Sequence, residues 1–510
     1  MVRFRFLLIP FSVAMLLAVS QSCARSSLLS ESTAPLTLRL SLQKGRLFVG
    51  EAIAIDVAVQ PHADLEMETV ELNANRTRIN ITDRTGQRRV LTGQDYATLH
   101  HHAELQDIGR AFRAASGKPF SSVLDLFLYT RPLAPGHYRV EISYRYGNTD
   151  EAVVHSNPIE FDIVPTRIEF STHRWFGGES LRQELASVWA ARDREKLRWF
   201  YQLANPNDPG AVLGAADLNL SIPPGAVPQL AQLNDSSAAH FERYLVWIDS
   251  DRVAWVPVQP SGRTRDPMYV PHTLMGEPRL VDAPLQTSNG GLRLLLVGTD
   301  MRGRPAASLI EVGEGGDTKR RVVTLDAIPQ QSVVRWKDQD GAGRGTLFYI
   351  VDFHNSGDKD IHVTELESGR ERRIRTTPYA PLALIVDQLA GSGRILAALR
   401  NGETLLVKQW DADTLTVVKE SSIRLPAATV ALQQLPVGAE VMNRNGDLIL
   451  LFRDANSWTI IWPEVKQTLA VGETSEAQPE IAATPQAGVF LIFRTKDSGF
   501  DTIRLPDAKK

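Results

Sequence analysis

Hydrophobic residues alternate with polar ones along much of this chain, at the spacing of half-buried β-strands. Residues 36–43 alternate Leu with Thr, Arg, Ser and Gln, and residues 48–59 repeat the pattern after a glycine turn. A Pro-Gly turn leads into the alternating stretch 133–146, and residues 156–165 supply a further strand. These segments predict a small antiparallel β-sandwich over residues 36–165.

One segment inside this region has a different character. Residues 94–115 are polar and predict a helical insertion, which contains His100, His101 and His102 followed by Glu104. Successive helical residues point about 100° apart, so three adjacent histidines cannot converge on one ion. His100 and Glu104 are one turn apart and can share a ligand. We interpret the segment as a solvated helix face and predict no metal site.

From residue 166 to residue 510, apolar hairpins recur with polar turns between their arms. The hairpins start at Leu185, Tyr244, Leu292, Thr346, Arg394, Asp447 and Val489. A repeat of roughly 40 to 50 residues with strands in every unit is typical of a β-propeller. The repeat predicts one blade for each hairpin.

The first hairpin fits two structures. Its leucines at 181 and 185 would share one face of a helix, but Val188-Trp189 recurs as Val246-Trp247 in the next hairpin, which favours strands. We therefore predict seven blades, or six if the first hairpin is helical. Residues 167–177 are expected to supply a strand that closes the ring against the last blade, leaving no free sheet edge.

The predicted sandwich resembles a known class of module. GEAIAIDVAV, PGHYRVEISY and SNPIEFDIV are similar, in order and in spacing from the domain ends, to the early and late strands of bacterial immunoglobulin-like modules. The Cys-Trp-Cys pattern of antibody-type domains does not occur. The fold expected for the whole chain is all-β, with an immunoglobulin-like sandwich followed by a β-propeller.

The N-terminus has the pattern of an export signal. Arg3 and Arg5 precede an apolar run over residues 6–19, which is shorter than the ~20 residues that a membrane-spanning helix needs. Residues 1–22 are predicted to be a signal peptide. Residues 24–35 are polar and serine-rich, as expected of a flexible tether.

The only cysteine of the chain, Cys23, follows this segment directly. The run VSQSC resembles a degenerate bacterial lipobox, which implies that Cys23 becomes an acylated N-terminus. In the Gram-negative proteins that it resembles, Asp at the next position favours the inner membrane, so Ala24 implies the outer membrane. Ser22 and Ala24 also fit the small-x-small rule for an ordinary signal peptidase, which would release a soluble secreted chain, and a retained anchor is a further alternative.

Composition excludes some classes of function. The chain of 510 residues is 43% hydrophobic and carries 56 Lys and Arg against 59 Asp and Glu, a net charge of -3. Because no basic field exists to neutralise many phosphates, nucleic acid is not expected as a partner. A single cysteine permits no intramolecular disulfide, so the fold depends on packing alone.

Two further motifs invite a chemical interpretation. Thr495, Asp497, Gly499 and Thr502 resemble a loose Asp-box of sialidase-like propellers, a device that stabilises a turn. Residues 352–362 concentrate carboxylates and two histidines around a glycine but miss the EF-hand pattern, since Val363 stands where the final Glu is required. We interpret the second motif as a solvated turn and predict neither a metal, a cofactor nor a catalytic set.

The repeats are also rich in tryptophan, and these side chains are expected to pack between blades. The tryptophans in question are Trp247, Trp255, Trp410, Trp458 and Trp462. An alternative is that they bind sugar or peptide on one propeller face.

The leading functional hypothesis is an exported, membrane-anchored lipoprotein that binds or scaffolds protein or glycan in the bacterial envelope. In this hypothesis the immunoglobulin-like module is a spacer and the propeller presents the binding surface. The alternatives are a sialidase-like or other glycan-active enzyme on the propeller and a structural subunit of an envelope assembly complex.

Overall fold

A computed structural model describes most of the chain between residues 34 and 504. The described ranges are 34–68, 76–100, 111–146, 152–165, 168–176, 184–205, 208–223, 225–233, 242–258, 264, 266–281, 285–286, 292–313, 317–337, 344–351, 359–387, 394–424, 438–441, 448–453, 458–462, 467–471, 480–484, 488–495 and 499–504. Within them, no helix is long and apolar enough to cross a membrane.

The N-terminal part consists of strands with one short helix among its described residues. In chain order the elements are β1 (Leu36–Leu42), β2 (Arg46–Phe48), β3 (Ala54–Pro61), β4 (Leu65–Glu68), β5 (Thr77–Asp83), β6 (Arg88–Leu91), α1 (Gly93–His100), β7 (Ala111–Ala114), β8 (Phe120–Asp125), a 3₁₀ turn (Leu126–Leu128), β9 (Gly136–Arg145), β10 (Val153–His155) and β11 (Ile159–Val164).

Two sheets share the core of this part. One has the order β1-β3-β8, and the other has the order β2-β11-β9-β5-β6 with β10 beside β9. The alternation predicted from the sequence is confirmed, since Leu36, Leu38 and Leu40 point into the core that Ile55 and Val57 enter from β3. Burial of one face of each sheet explains why the period of two residues is so regular here.

The described residues of the predicted helical insertion form a helix at one end and a strand at the other. Helix α1 spans Gly93–His100, and Ala111–Ala114 forms strand β7, which pairs with β4. The prediction of a helix is therefore wrong for residues 111–114, where pairing with β4 prevails over helix propensity. His101, His102 and Glu104 lie outside the described residues.

The described residues from 168 onward form a long series of strands. They are β12 (Ile168–Phe176), β13 (Glu184–Asp193), β14 (Lys196–Asn205), β15 (Asp208–Asp217), β16 (Gln229–Leu233), β17 (Glu242–Asp249), β18 (Arg252–Val258), β19 (Met268–Pro271), β20 (Met275–Leu280), β21 (Leu285–Gln286), β22 (Leu292–Thr299), β23 (Pro305–Val312), β24 (Thr318–Thr324), β25 (Gln331–Lys337), β26 (Arg344–Ile350), β27 (Ile361–Glu365), β28 (Glu371–Ile374), β29 (Ala380–Asp387), β30 (Arg394–Asn401), β31 (Thr404–Asp411), β32 (Val417–Arg424), β33 (Gly438–Val441), β34 (Leu448–Arg453), β35 (Trp458–Trp462), β36 (Gln467–Val471), β37 (Glu480–Thr484), β38 (Gly488–Thr495) and β39 (Gly499–Arg504).

These strands form successive antiparallel sheets, most of them four-stranded. The orders are β12-β13-β14-β15, β16-β17-β18-β19, β20-β22-β23-β24 with β21 also on β22, β25-β26-β27-β28, β29-β30-β31-β32, β33-β34-β35-β36 and β37-β38-β39. Each hairpin found in the sequence is the second and third strand of one sheet. The first hairpin, β13–β14, is a strand pair and not a helix.

The first five of these sheets pack face to face in succession. One apolar cluster joins the β12–β15 sheet to the β16–β19 sheet, and similar clusters join the second sheet to the third, the third to the fourth and the fourth to the fifth. First strands of neighbouring sheets touch, and β37 of the last sheet also touches β12 of the first. Sheets that follow one another in this way form a β-propeller.

Three of the five tryptophans lie in these inter-sheet cores, as the sequence predicts. Trp247 is 1% exposed and Trp255 is 4% exposed, and each packs against the neighbouring sheet. Trp410 is buried between the fourth and fifth sheets. For these three residues the core interpretation is confirmed.

A side-chain latch links the first strands of several consecutive sheets. In each case an Arg or Gln side chain from one first strand donates a hydrogen bond to a backbone carbonyl in or beside the next. The donor and acceptor pairs are Arg174 and Leu230 (2.9 Å), Gln229 and Leu280 (3.2 Å), Arg279 and Gln330 (2.9 Å), and Gln331 and Leu384 (3.3 Å). The partners lie 51 to 56 residues apart, so this hydrogen bond recurs from one sheet to the next along the chain.

Strand β12, expected to close the ring by pairing with the last sheet, pairs within the first sheet. Strand β12 hydrogen-bonds to β13 of its own sheet, with Ser171 opposite Trp189, and it does not pair with the last sheet in the described strand pairs. The first sheet therefore consists of four strands that follow one another in the chain. Strand β12 contacts β37 without pairing with it in the described strand pairs.

Candidate functional site

The N-terminal sheets and the first propeller sheet meet in a shared apolar core. Phe48 and Val164 from the N-terminal part pack against Trp189 and Phe200 of the propeller. The Trp189 and Phe200 rings stack with centroids 4.1 Å apart, and the Phe48 ring meets Phe200 edge-on at 6.2 Å. Aromatic pairs of this geometry add to the burial energy of the junction.

A tight turn places an acidic side chain beside these rings. Phe48 to Glu51 forms a turn in which the Glu51 N–H donates to the Phe48 carbonyl at 3.0 Å. Gly50 has φ 83°, a conformation that suits glycine and explains the glycine turn seen in the sequence. The turn also brings the Phe48 N–H to the Glu51 carboxylate at 3.0 Å.

The buried Glu51 carboxylate is the centre of an ion network that joins the two parts of the chain. Glu51 is 2% exposed and accepts from the Lys44 Nζ at 3.0 Å and from both terminal nitrogens of Arg198. Asp217 completes the network, with Lys44 at 2.9 Å and Arg198 at 2.7 Å. Each of the two cations thus binds both carboxylates, and a third carboxylate, that of Asp193, lies 3.8 Å from Arg198.

The pKa directions follow from this arrangement. Burial lowers the pKa of the Lys44 ammonium, but hydrogen bonds to Asp217 and the charge of Glu51 outweigh it, so that the pKa is raised. The same balance raises the pKa of Arg198. Burial raises the pKa of Asp217, but hydrogen bonds from Arg198 and Lys44 reverse this and lower it. All three groups are held in their charged forms.

A second contact between the two parts involves strand β15. Val212 of β15 belongs to the core of the N-terminal sheets, and β15 touches the 3₁₀ turn at residues 126–128. Asp125 caps that turn, accepting from the Phe127 N–H at 3.0 Å and from the Ala215 N–H. Burial raises the pKa of Asp125 to about 6, despite these two hydrogen bonds.

A cleft of about 670 Å³ opens beside the ion network. Its N-terminal wall is Arg46, Leu47 and Phe48 of β2 with Val164, and its propeller wall is the β13–β14 turn, residues 193–196, with Arg198. The volume lies in the range of small-molecule sites. The turn itself is tight, since Asp193 pairs directly with Lys196.

Comparison with known proteins yields fold likeness at low scores. No protein-family model matches the sequence, and no curated protein matches it. The β-propeller domain of Cps50 (Swd1) from Myceliophteria thermophila is similar at TM-score 0.40 and 9% identity, over 67% of this chain and 99% of that chain. The Hadza microbial sialidase Hz136 gives TM-score 0.34 and 10% identity over 83% and 96% of the two chains. The Dos1 propeller gives TM-score 0.34 and 6% identity over 72% and 88%.

At such low scores these likenesses carry no functional argument. The β-propeller architecture of this chain is supported by its own strand order, inter-sheet cores and contacts between first strands. The arginines on the described first strands also bind protein groups. Arg174 and Arg279 bind backbone carbonyls, and Arg335 binds Asp413 at 2.8 Å.

Several residues singled out in the sequence lie outside the described part or at its margin. Cys23 lies outside the described residues, as does Asp497 of the Asp-box-like motif. Thr495 and Gly499 face each other at the end of the β38–β39 hairpin, as expected of a turn motif. The junction residues Lys44, Glu51, Arg198 and Asp217 carry no spacing signal that sequence alone reveals.

The carboxylate-rich motif at residues 352–362 contributes one residue to a second polar cluster. His362 is buried, stacks on Tyr349 with centroids 4.9 Å apart, and has its Nδ1 3.5 Å from Asp326. Asp326 also binds Arg373 at 2.5 Å and is hydrogen-bonded to Glu371. No group of His, Cys, Asp or Glu able to hold a metal occurs among the described residues.

The pKa values of the two carboxyl groups of this cluster, Asp326 and Glu371, change in opposite directions. Hydrogen bonds from Glu371 and Arg373 lower the pKa of Asp326, whereas burial and the neighbouring Asp326 charge raise the pKa of Glu371 to about 7. A raised carboxyl pKa favours the folded state at low pH, and this contribution is lost as pH rises through about 7.

Glu371→Gln is therefore expected to remove a loss of stability that the wild type shows as pH rises from about 4.5 to about 7. The effect at pH 8 should be about 1 kcal/mol, since solvent screens the exposed Glu371 side chain. Urea unfolding of both proteins at about pH 4.5 and about pH 8 measures it. Equal changes in the wild type and the variant would show that Glu371 does not retain its proton.

Proposed function

We propose that this chain is an exported lipoprotein whose propeller acts as a binding or scaffold protein in the bacterial envelope. Cys23 would be acylated after removal of residues 1–22, and residues 24–35 would form the tether. With Ala24 next to the cysteine, the outer membrane is the proposed destination. Envelope protein or glycan is the proposed ligand class, and the proposal includes no nucleic-acid partner.

The observation that carries the proposal is the junction between the N-terminal sheets and the first propeller sheet. The shared core around Phe48 and Phe200, the ions around Glu51 and the insertion of Val212 into the N-terminal core make a rigid connection. An acylated N-terminus would therefore retain the propeller at the membrane together with the N-terminal sheets, at the end of the tether formed by residues 24–35. A propeller retained at the membrane in this way can present a binding surface.

The proposal also includes finer points of architecture. Each of the sheets that begin with β12, β16, β20, β25, β29, β33 and β37 would be one blade, which makes seven, and contact between β12 and β37 supports a ring. The N-terminal sheets would be an immunoglobulin-like module, consistent with two sheets over one core.

Membrane partition tests the anchor. Wild-type protein expressed in a Gram-negative host should incorporate labelled fatty acid and fractionate with the outer membrane, whereas Cys23→Ser should lose the label and leave the membrane fraction. Ala24→Gly is the matched control and should stay membrane-bound. A Cys23→Ser protein that remains in the membrane would contradict acylation as the anchor.

Crosslinking and pull-down from the labelled membranes test the binding role. A protein or glycan recovered with the wild type and retained after a salt wash is the expected result. Co-purification of one protein at fixed stoichiometry would indicate a structural subunit instead. Hydrolytic turnover of glycan by the purified chain would contradict the non-enzymatic role.

A further inference from the structure

We infer that the cleft between β2 and the β13–β14 turn binds an acidic saccharide, that is, a sugar carrying carboxylate or phosphate groups. This inference rests on the proposed binding function and names the ligand chemistry of one site. The site lies at the junction, beside the first sheet, rather than at the propeller axis.

The charge of the cleft is the first ground. Arg46, Arg194 and Lys196 line it and make no ion pair within the part of the chain that the structure describes. Their side chains are exposed, so they can close on a bound anion. Cations gathered in a cleft attract anionic ligands more strongly than the same charges spread over an open surface.

Arg198 supplies a fixed cation at the base of the cleft. Glu51 and Asp217 hold its guanidinium, and Asp193 of the turn lies 3.8 Å from it. The guanidinium lies 4.9 Å from the Phe200 ring centroid and 5.5 Å from that of Phe48. Its side chain remains 20% exposed toward the cleft, and a guanidinium has more N–H donors than these bonds use. A donor held in place loses little freedom on binding.

The remaining wall favours a sugar over a simple anion. Asp193 and Glu195 on the turn provide acceptors for hydroxyl groups, which a phosphate ion does not need. Leu47, Phe48 and Val164 provide an apolar surface against which C–H groups can pack. Cations, hydroxyl acceptors and an apolar floor together match a saccharide with an acidic substituent.

The backbone of the turn adds an independent observation. Arg194 has φ 56°, and the corresponding turn residues of the second and fifth sheets are Ser250 at 54° and Gly402 at 57°. Glycine is the relaxed residue in this conformation. Positions 194 and 250 therefore both carry a non-glycine residue in this conformation, and at position 194 this residue is a long cationic side chain that lines the cleft.

Titration calorimetry on the full mature chain in detergent tests the inference. Digalacturonate and glucose 6-phosphate are the carboxylate and phosphate probes, lactose is the neutral probe, and inorganic phosphate represents the anion alone. At least one acidic sugar is expected to bind, about tenfold or more tightly than lactose or phosphate, with an affinity that falls as salt rises. Which of the two acidic sugars binds identifies the group recognised.

Variants locate the binding to the cleft. The double substitution Arg46→Ala and Lys196→Ala should weaken binding about tenfold or more, and Arg194→Gly should weaken binding while leaving the fold intact. Arg252→Ala is the matched control, because Arg252 faces Asp249 across the second-sheet turn as Lys196 faces Asp193 in the first. It should bind like the wild type.

The outcomes separate this inference from the proposed function. Absence of binding by both acidic sugars, equal binding of lactose or phosphate, or unchanged affinity in the cleft variants would overturn the inference. If an envelope partner is still recovered with the acylated chain in that case, the proposed function stands. If an acidic sugar binds but Cys23→Ser stays in the membrane, the anchor fails and the cleft assignment stands.

Discussion

Glu51→Gln is expected to lower the free energy of unfolding by about 3 kcal/mol, a large effect for a substitution that removes one charge and keeps the size of the side chain. Glutamine keeps an oxygen for the Phe48 N–H but removes the charge that faces Lys44 and Arg198. Asp217 would then be the only carboxylate within hydrogen-bonding distance of the two cations, with Asp193 at 3.8 Å from Arg198. Leaving a cation poorly paired in a buried site is costly.

Chemical denaturation of the wild type and the variant measures this difference. Glu403→Gln is the matched control, because Glu403 pairs with Arg424 at 2.6 Å while both side chains are more than half exposed, at 52% and 82%. An exposed pair of this kind contributes less than about 1 kcal/mol. Equal losses in the two variants would show that the Glu51 network is not a stabilising element of the junction.

A double-mutant cycle isolates the pair from its surroundings. Arg198→Met removes the guanidinium and keeps an unbranched side chain between Phe48 and Phe200. With Glu51→Gln already present, Arg198→Met should cost less than it does alone, by about 1 kcal/mol or more, because the charge that needs a partner is gone. Strict additivity would contradict direct coupling across the junction.

The hairpins of the propeller were predictable because each contains alternation, a polar turn and a regular recurrence. The first hairpin was ambiguous, since leucines at 181 and 185 fit a helix equally well. Pairing with β12 on one side and β15 on the other makes it a strand. Such pairing depends on residues outside the segment, so local periodicity cannot decide it.

The junction was not predictable, for a related reason. Glu51 and Arg198 are 147 residues apart, and each stands in a segment that is adequately explained as a strand or a turn. Only the tertiary fold brings them together. The glycine turn before Glu51 was visible in the sequence, but its role in aiming that carboxylate was not.

The contacts at the junction also bear on the expectation that the N-terminal module is a spacer. A spacer would join the propeller through a flexible linker and few contacts. Here, Val212 of the propeller enters the N-terminal core, and Asp125 of the N-terminal part accepts a hydrogen bond from Ala215 of β15. The two parts therefore share a packed interface, and Asp125 is a titratable group within it.

Asp125→Asn is expected to make the protein more stable at pH 8, by about 2 kcal/mol, and to have little effect near pH 4. Burial raises the pKa of Asp125 to about 6 from an unfolded value of 3.8, so the folded state holds this proton more tightly. Stability falls as pH rises between these two values, and the penalty persists above about pH 6. Asparagine keeps an oxygen for the Phe127 and Ala215 N–H groups but never has to ionise.

Thermal unfolding from pH 4 to pH 8 distinguishes this from a general effect of removing a carboxylate. Asp83→Asn is a control of opposite sign, because hydrogen bonds from Thr85 and Gln87 lower the pKa of exposed Asp83. Its carboxylate stabilises the fold above its unfolded pKa of 3.8, and this contribution is lost only as pH falls below that value, so Asp83→Asn should destabilise the protein to nearly the same extent from pH 4 to pH 8. A wild type and an Asp125→Asn variant whose melting temperatures change in parallel across this range would show that Asp125 does not titrate at the junction.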